Sequence, residues 1–202
     1  MSIPKTHYFE AQPAVASRPR TVRFRFGELD LTLQTDRGVF GSKGVDLGTR
    51  MLLREAPPPP LEGDVLDLGC GYGPIAIVLA KLAPGAQVWA VDVNERALEL
   101  TRANAEAAGA ANVTVSTPGK VPDEVRFEAI YSNPPVRVGK GPLHALLLEW
   151  LPRLKPTGAA YLVVQRNLGS DSLARWLTEE GFAVTRLKSK KGYRILQVKA
   201  AS

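Results

Sequence analysis

The sequence predicts an α/β protein with a mainly parallel sheet and helices on both of its faces. From residue 64 onward, short apolar segments typical of strands alternate with amphipathic segments typical of helices, and this alternation builds a parallel sheet. The segment 64–68 leads through three glycines, spaced at every second position, into a helical pattern at 74–82. The chain has 202 residues, of which 45% are hydrophobic and 23% charged, and this suffices for one α/β domain with a buried core.

Residues 1–56 are predicted to form an extension ahead of the core, and the extension contains a β-hairpin. Residues 21–26 alternate apolar and basic side chains, and residues 29–34 alternate again after a two-residue link that contains glycine. Alternation with a period of two is typical of half-buried strands, and such a link is typical of a hairpin. Arg23 and Arg25 lie on the polar face, which is either an exposed strand face or a patch that contacts phosphates.

The segment that joins the hairpin to the core is predicted to be an extended loop followed by a short helix. Residues 35–49 are rich in Gly, Asp and Lys, and a helical pattern follows at 47–55. The four prolines at 57–60 predict a stiff spacer of the polyproline type. We therefore expect the core to comprise residues 57–202.

The core pattern predicts the remaining elements in order. Strands are expected at 64–68, 87–93, 113–115, 127–132 and 159–164. Helices are expected at 74–82, at 95–108 with Asn94 as its N-cap, at 143–153, and after Ser170 as a further N-cap. An antiparallel pair at 182–187 and 193–199, joined by the basic turn 188–192, is expected to add an antiparallel strand at the edge of the sheet.

The glycine-rich turn indicates a nucleotide-type ligand. Strand, glycine turn and helix in that order bring bare backbone N–H groups and a helix N-terminus close to a ligand. Dinucleotides and S-adenosylmethionine (SAM) both use this arrangement. A dinucleotide fingerprint reads G-x-G-x-x-G, whereas Gly69, Gly71 and Gly73 read G-x-G-x-G.

Two carboxylates favour SAM over a dinucleotide. Asp67 stands two residues before the first glycine, where it would repel a pyrophosphate but suit the ammonium of a methionine moiety. Asp92 ends the second core strand, where a carboxylate can accept both hydroxyls of an adenosyl ribose. Cys70 lies within the turn and is expected to pack beneath it, since no basic partner is close in sequence.

The stretch Asp67–Gly73 together with Asp92 resembles the class I SAM-dependent methyltransferases. The resemblance implies a Rossmann-like fold with seven strands in the order 3-2-1-4-5-7-6. It also implies that SAM is the cofactor, held by Asp67, Gly69, Cys70, Gly71, Gly73, Asp92, Val93, Thr117 and Asn133. One departure is Thr117, which stands where the family often has an acidic or amide side chain against the adenine, so that a backbone contact would replace it.

Two further motifs resemble narrower groups of methyltransferases. Asn133, Pro134 and Pro135 resemble the N-P-P signature of enzymes that methylate amino groups, and the resemblance implies that these three residues are catalytic. Residues 38–42 and 46–49 resemble the segment before the cofactor site in small-domain enzymes of the 16S rRNA guanine-N2 family. The longer members of that family carry two such domains, where this chain has one.

The N-P-P turn suits a poorly nucleophilic amine. The lone pair of an exocyclic amine is delocalised into the ring of an aromatic base. If Asn133 Oδ1 and the Pro134 carbonyl accept the two amine hydrogens, the nitrogen approaches tetrahedral geometry and its lone pair can point at the methyl group. A turn that is rich in proline and has no catalytic role is the alternative.

Substrate contacts are predicted on both sides of this turn. Phe40 is expected either to stack on the target base or to belong to the core. Asp46 and Thr49 are expected to border the methionine end of the cofactor or merely to cap the short helix. Val136 stands where enzymes that methylate DNA adenine or glutamine usually carry an aromatic residue, which favours a guanine N2 target, and Arg137 is a candidate phosphate contact.

The composition indicates which kind of partner and which cellular location to expect. A net charge of +6 favours a polyanionic partner such as rRNA or a ribosomal subunit. Further candidate phosphate contacts are Lys140, Lys188, Lys190, Lys191 and Arg194. A single cysteine and the lack of a long apolar run predict a cytoplasmic protein without disulfide or membrane span, and no metal site is expected.

Three functions remain open at this level. The first is an rRNA guanine-N2 methyltransferase. The second is a methyltransferase acting on a protein glutamine or a small amine. The third is a non-catalytic RNA-binding module that retains SAM, and a homodimer is compatible with each of them.

Overall fold

The computed structural model describes residues 15–200, except for the side chain of Arg137. The strands are β1 Arg20–Phe26, β2 Leu29–Thr35, β3 Glu62–Leu68, β4 Gly85–Val91, β5 Val113–Ser116, β6 Phe127–Ser132, β7 Leu154–Gln165, β8 Phe182–Lys190 and β9 Tyr193–Ala200. The helices are α1 Leu47–Glu55, α2 Pro74–Leu82, α3 Glu95–Ala107, α4 Lys140–Trp150 and α5 Ser170–Glu179. Over the described range, none of these helices combines the length and the apolar character needed to cross a bilayer.

The seven core strands form one sheet in the order β5-β4-β3-β6-β7-β9-β8. Numbered within the core, this is 3-2-1-4-5-7-6, so the expected strand order is confirmed. The first five strands are parallel, and β9 is antiparallel to both β7 and β8. The expected antiparallel hairpin lies at the edge of the sheet, with β9 between β7 and β8 and with β8 as the edge strand.

Apolar side chains alternate between the two faces of the sheet. Along β7, Tyr161 and Val163 belong to the apolar cluster beneath the hairpin and α1–α3, while Leu162 and Val164 belong to the cluster beneath α4 and α5. Successive strand residues point to opposite faces, so a strand buried on both sides is apolar throughout. The helices on both faces confirm the predicted α/β architecture.

The N-terminal hairpin is joined to the core by the hydrogen bonds of one buried side chain and by apolar packing. Asn104 on α3 accepts the backbone N–H of Gln34 at 2.7 Å and donates its amide to the carbonyls of Gln34 and Tyr72, each at 2.8 Å. Phe24 and Leu33 of the hairpin share the apolar cluster of α2 and α3. The division of the chain at residues 56 and 57 stays a prediction, since this cluster continues across it.

Two local expectations in the C-terminal third are wrong. Ser170 is the first residue of α5 and does not cap it, because Gly169 takes the cap position with a φ of 99° and Ser170 Oγ is buried without a hydrogen-bond partner in the described part of the chain. The basic turn is shorter than expected, because Lys191 and Gly192 both adopt positive φ. Such a pair closes a hairpin with only two residues, so β8 extends to Lys190 while β9 begins at Tyr193 as expected.

The structure separates the basic candidates for phosphate contact. Arg25 is exposed and lies 3.0 Å from Asp30, and such a surface pair contributes little to stability. Lys188 is about half exposed at the edge strand. Arg194 is 9% exposed and pairs with Asp171, so its interpretation as a surface phosphate contact is wrong.

Candidate active site

A cavity of about 270 Å³ lies where β3, β4, β6 and β7 end. Gly69, Asp92 and Asn133 each follow one of the first three strands, Gln165 ends the fourth, and all four line the cavity. Ligands of open α/β sheets bind outside the carboxyl ends of the strands. The volume is close to the lower end of the range for small-molecule sites, about 300–1,000 Å³, so this cavity is the candidate active site.

The first two glycines of the turn shape the floor of the cavity. Gly69 has a φ of 77° and Gly71 a φ of 58°, values that favour glycine. The N–H groups of Gly69 and Cys70 both donate to the Val91 carbonyl, at 2.8 and 3.0 Å, which ties the turn to β4. A Cβ on Gly69 would meet no atom within 4 Å, so the space beside this residue is open to a ligand.

The rest of the turn serves packing. Gly73 begins α2 with a φ of 89°, and a Cβ there would lie 2.9 Å from Thr101 Cγ2 on α3. Cys70 is buried, and burial together with the nearby carboxylates raises the pKa of its thiol well above the ordinary value. Neither residue lines the main cavity. A protonated thiol is a poor nucleophile, and Cys70 lies beneath the turn as expected.

Asp92 lines the cavity with both carboxylate oxygens anchored by the backbone. Oδ2 accepts the N–H of Gly71 and Oδ1 that of Asn94, each at 2.9 Å. Burial raises the pKa of this carboxyl, and the backbone donors oppose that effect. Each oxygen retains a second lone pair, so Asp92 can still accept hydroxyl groups of a ligand.

Asp67 lies beneath the turn and does not line the cavity. Its Oδ2 accepts the N–H of Ala76 at 2.9 Å, which ties β3 to the first turn of α2. Its Oδ1 is buried without a hydrogen-bond partner among the described residues. Burial, with a contribution from the charge of Asp92, raises the pKa of Asp67 to about 8. Contact between Asp67 and a cationic ligand stays a prediction.

The side chain of Asn133 is oriented by two groups of α1. Its Nδ2 donates to Asp46 Oδ2 at 2.6 Å and to Thr49 Oγ1 at 3.1 Å. A carboxylate can only accept, so the NH₂ group must face α1. The planar amide therefore turns Oδ1 away from α1, and Asn133 presents an acceptor at the cavity that it lines.

The first turn of α1 is built around this contact. Asp46 caps the helix, with Oδ1 accepting the Thr49 N–H at 2.7 Å while Oδ2 holds Asn133. A Cβ on Gly48 would lie 2.9 Å from Tyr193 Cε1 and 3.4 Å from Asn133 Nδ2. Glycine at this position therefore lets the Tyr193 ring and the Asn133 amide approach the same part of α1.

The N-P-P turn is an inverse γ-turn. Pro135 has φ −75° and ψ 68°, and the Val136 N–H donates to the Pro134 carbonyl at 2.8 Å. These dihedral angles match the inverse γ-turn, and the proline ring holds φ near its value. The Pro134 carbonyl keeps its second lone pair in a fixed direction beside Asn133.

The other predicted site residues divide into those that line the cavity and those that do not. Phe40, Val93 and Val136 line it, and Phe40 is 43% exposed. Thr117 does not line it, but its neighbour Pro118 does. The side chain of Arg137 lies outside the described residues. Between residues 15 and 200 no group of three or more His, Cys, Asp or Glu side chains has the arrangement of a metal site.

Among the cavity residues that reasoning from the sequence missed are two that form a polar pair. Gln165 ends β7 and Tyr193 begins β9, and Gln165 Nε2 donates to the Tyr193 hydroxyl at 2.6 Å. A polar residue at the carboxyl end of an apolar strand was a usable signal for Gln165. For Tyr193 the usable signal was the expected strand order, which places the last strand beside β7; the local sequence around Tyr193 carries none.

Comparison with known families identifies the fold and its chemistry. Residues 30–197 match the family described as methyltransferase small domain. The chain belongs to this family. It is a SAM-dependent methyltransferase of class I, and SAM is its cofactor.

Two proteins and one solved structure show how this small-domain methyltransferase compares with its relatives. It is 38% identical over 196 residues to a Bacillus subtilis protein called "Uncharacterized protein YbxB", which covers 96% of this chain and 98% of that protein. It is 33% identical to ribosomal RNA small subunit methyltransferase C of Chromohalobacter salexigens, over 95% of this chain and 58% of that protein. The structure of the T. thermophilus 16S rRNA N2 G1207 methyltransferase in complex with AdoMet and guanosine matches with a TM-score of 0.76 and 28% identity, over 93% of this chain and 52% of that chain. The chain thus spans little more than half of the two rRNA methyltransferases.

The residues of the cavity fit SAM. The open space beside Gly69 leaves room for a ligand against the turn, and Asp92 retains lone pairs for ribose hydroxyls. The unpartnered Oδ1 of Asp67 is an acceptor of the kind that a cationic methionine end would satisfy. Gly69 and Asp92 line the cavity where β3 and β4 end, and Asp67 lies beneath the turn at the same end.

Proposed function

We propose that this methyltransferase transfers a methyl group to the exocyclic N2 amine of a guanine in small-subunit rRNA. The observation that carries the proposal is the orientation of Asn133, whose NH₂ group is held by Asp46 and Thr49 so that Oδ1 remains available at the cavity. The rRNA methyltransferases among its relatives support the substrate class.

The chain's own residues would prepare the amine. Asn133 Oδ1 and the Pro134 carbonyl accept one hydrogen each, and this draws the nitrogen towards tetrahedral geometry and directs its lone pair. SAM supplies an electrophilic methyl group, whose bonding electron pair stays on the sulfur as the new N–C bond forms. The methylated amine then carries the positive charge and loses one proton to solvent.

The position of Asp46 suits this role. Asp46 lines the cavity, and its carboxylate contacts the amide of Asn133, so it would act by positioning Asn133. A charge-assisted hydrogen bond of 2.6 Å is stronger than a neutral one. The acceptor would therefore be in place before the substrate binds, which is the requirement for preorganised catalysis.

Methyl transfer to defined RNA tests the proposal. The full chain is incubated with SAM carrying a labelled methyl group and with 16S rRNA or small subunits from a strain that lacks the gene, and the RNA is digested to nucleosides. We expect label in N2-methylguanosine, and we expect activity to fall steeply with added salt because phosphate contacts carry RNA binding. Label in another nucleoside, or only in a protein glutamine, would contradict the proposal.

Asn133→Ala provides the internal control for this assay. The variant should lower the rate by about 10²–10³-fold, the usual effect of removing one positioned hydrogen-bonding group from an active site. Its affinity for SAM should change little, because the contacts of Asp92 and Gly69 remain. Equal RNA binding by both proteins with turnover in neither would favour a non-catalytic module instead.

A further inference from the structure

Gln165 and Tyr193 form a polar pair that the methyl-transfer chemistry does not use. They are register partners on the neighbouring strands β7 and β9, and both line the cavity with Asn133. Both side chains are half-buried, and the bond from Gln165 Nε2 to the Tyr193 hydroxyl is short at 2.6 Å. Polar groups that converge in a mostly apolar pocket commonly set the specificity of the site.

We propose that Gln165 and Tyr193 read the Watson–Crick edge of the target base and select guanine while Asn133 holds its N2 amine. The assignment rests on the proposed function, and it adds the residues that would distinguish guanine from other bases with an exocyclic amine. Bases that undergo chemistry in a pocket are recognised through hydrogen bonds to this edge.

The pair offers at least one donor and one acceptor in either of its two hydrogen-bonded states. When Gln165 Nε2 donates to the tyrosine oxygen, Gln165 Oε1 remains as an acceptor, and the tyrosine O–H and the second Nε2 hydrogen remain as donors. When the amide is turned over, the tyrosine donates to Oε1, and the remaining groups are an Nε2 donor and a tyrosine acceptor. The pair can therefore present its donor and acceptor in either order.

Only guanine has the complementary edge next to its amine. Beside N2, guanine carries the N1–H donor and then the O6 acceptor. The protein must therefore supply one acceptor and one donor. Beside the N4 amine of cytosine lie two acceptors, and beside the N6 amine of adenine lie one acceptor and a C–H group. Neither cytosine nor adenine carries a donor beside its amine, so either base would leave the acceptor of the pair without a partner, which is the arrangement that discriminates most strongly.

The pair lies within reach of a base held at Asn133. The tyrosine ring and the asparagine amide both lie close to Gly48. A Cβ added to Gly48 would be 2.9 Å from Tyr193 Cε1 and 3.4 Å from Asn133 Nδ2. β6 and β7 are adjacent strands, about 4.8 Å apart, which is on the scale of one base edge. A base whose amine contacts Asn133 would thus present its adjoining edge towards Gln165 and Tyr193.

Binding of free nucleosides tests the assignment without requiring turnover. Guanosine is compared with 2-aminopurine riboside, which keeps the 2-amine but lacks both N1–H and O6, and with cytidine, in the presence of S-adenosylhomocysteine. We expect the unmodified protein to bind guanosine at least about 10-fold more tightly than either analogue, the effect of one or two net hydrogen bonds. Tyr193→Phe and Gln165→Leu should reduce that ratio to within about 3-fold.

Tyr161→Phe is the matched control, because it removes a tyrosine hydroxyl from the same sheet outside the cavity lining. It should keep the full preference for guanosine. Unchanged affinity for S-adenosylhomocysteine in Tyr193→Phe would show that the variant is folded. Retention of the guanosine preference in both cavity variants, or its absence from the unmodified protein, would overturn the assignment.

The rRNA digest separates failure of this assignment from failure of the proposed function. N2-methylguanosine in the digest without any nucleoside preference would overturn only the role of Gln165 and Tyr193. A methyl group on a different acceptor would overturn the proposed function and this assignment with it.

Discussion

Asn133 donates its side-chain amide to the Asp46 carboxylate across 87 residues of sequence. The contact joins the loop after β6 to the cap of α1, and the same carboxylate holds the first turn of the helix. One side chain therefore connects the stability of α1 with the orientation of the proposed catalytic amide, and the two effects can be separated by substitution.

Asp46→Ala and Asp46→Asn should separate these two roles. Asp46→Ala removes the cap and should lower the free energy of unfolding by about 1 kcal/mol, and it should lower kcat by about 10²-fold because Asn133 is no longer oriented. Asparagine is an equally good cap, so Asp46→Asn should keep the stability and still lose part of the rate. Denaturant unfolding and single-turnover methylation measure both quantities. A rate that follows only the folded fraction would show that Asp46 has a purely structural role.

Gly48→Ala should disturb the site through crowding alone. A Cβ would lie 2.9 Å from the Tyr193 ring and 3.2 Å from Asp46 Oδ1, so at least one of them must move. We expect kcat/KM to fall by about 10-fold or more, since small displacements of positioned groups reduce rates strongly. Gly141→Ala on α4 is the control, because its Cβ would meet nothing within 4 Å. Equal activity of the two variants would show that a Cβ on Gly48 does not disturb the site.

Gly69→Ala and Gly73→Ala should have opposite profiles. Both positions have positive φ, 77° and 89°, so both variants carry a similar backbone strain of about 1–2 kcal/mol. Only at Gly73 does the new Cβ also meet Thr101, and only at Gly69 does it enter the space beside the turn. Gly73→Ala should therefore be the less stable in thermal unfolding without cofactor, and Gly69→Ala should show the larger loss of SAM affinity by calorimetry. The reverse order would show that the third glycine contacts the cofactor.

Asp67 should make the cofactor-free protein less stable as the pH rises. Its pKa is raised to about 8 in the folded state. At pH values between the ordinary pKa of an aspartate and about 8, the folded protein therefore keeps a proton that the unfolded chain releases. The stability is therefore highest in acid and declines across this window. Asp67→Asn keeps the acceptor for Ala76 and cannot ionise.

The difference in free energy of unfolding between Asp67→Asn and the unmodified protein should accordingly grow from about pH 5 to about pH 8 and then level off. Urea unfolding at several pH values measures it, with Asp64→Asn as the control, since Asp64 is only partly buried. A difference that is independent of pH would mean that Asp67 is already ionised in the folded protein.

The sequence predicted most of the elements because they depend on local patterns. The bounds of α1, α2 and β6 agree with the expected ranges, and Asn94 caps α3 as expected. Two of the errors in helix starts occur where a glycine takes the cap position. Gly169 takes the cap position ahead of Ser170, and Gly139, with a φ of 102°, starts α4 at Lys140, three residues before the expected start.

By itself, the sequence determined the strand–turn–helix at Asp67–Gly73, the acidic end of β4 and the N-P-P turn, because each of these is encoded within a few consecutive residues. The tertiary structure alone decided which of their atoms face the cavity. It placed Asp67 beneath the turn, turned the Asn133 amide by means of Asp46 and Thr49, and brought Gln165 and Tyr193 to the same pocket. The physical reason is that hydrogen bonds and steric exclusion between residues distant in sequence depend on how the strands are ordered in the sheet, which local pattern does not encode.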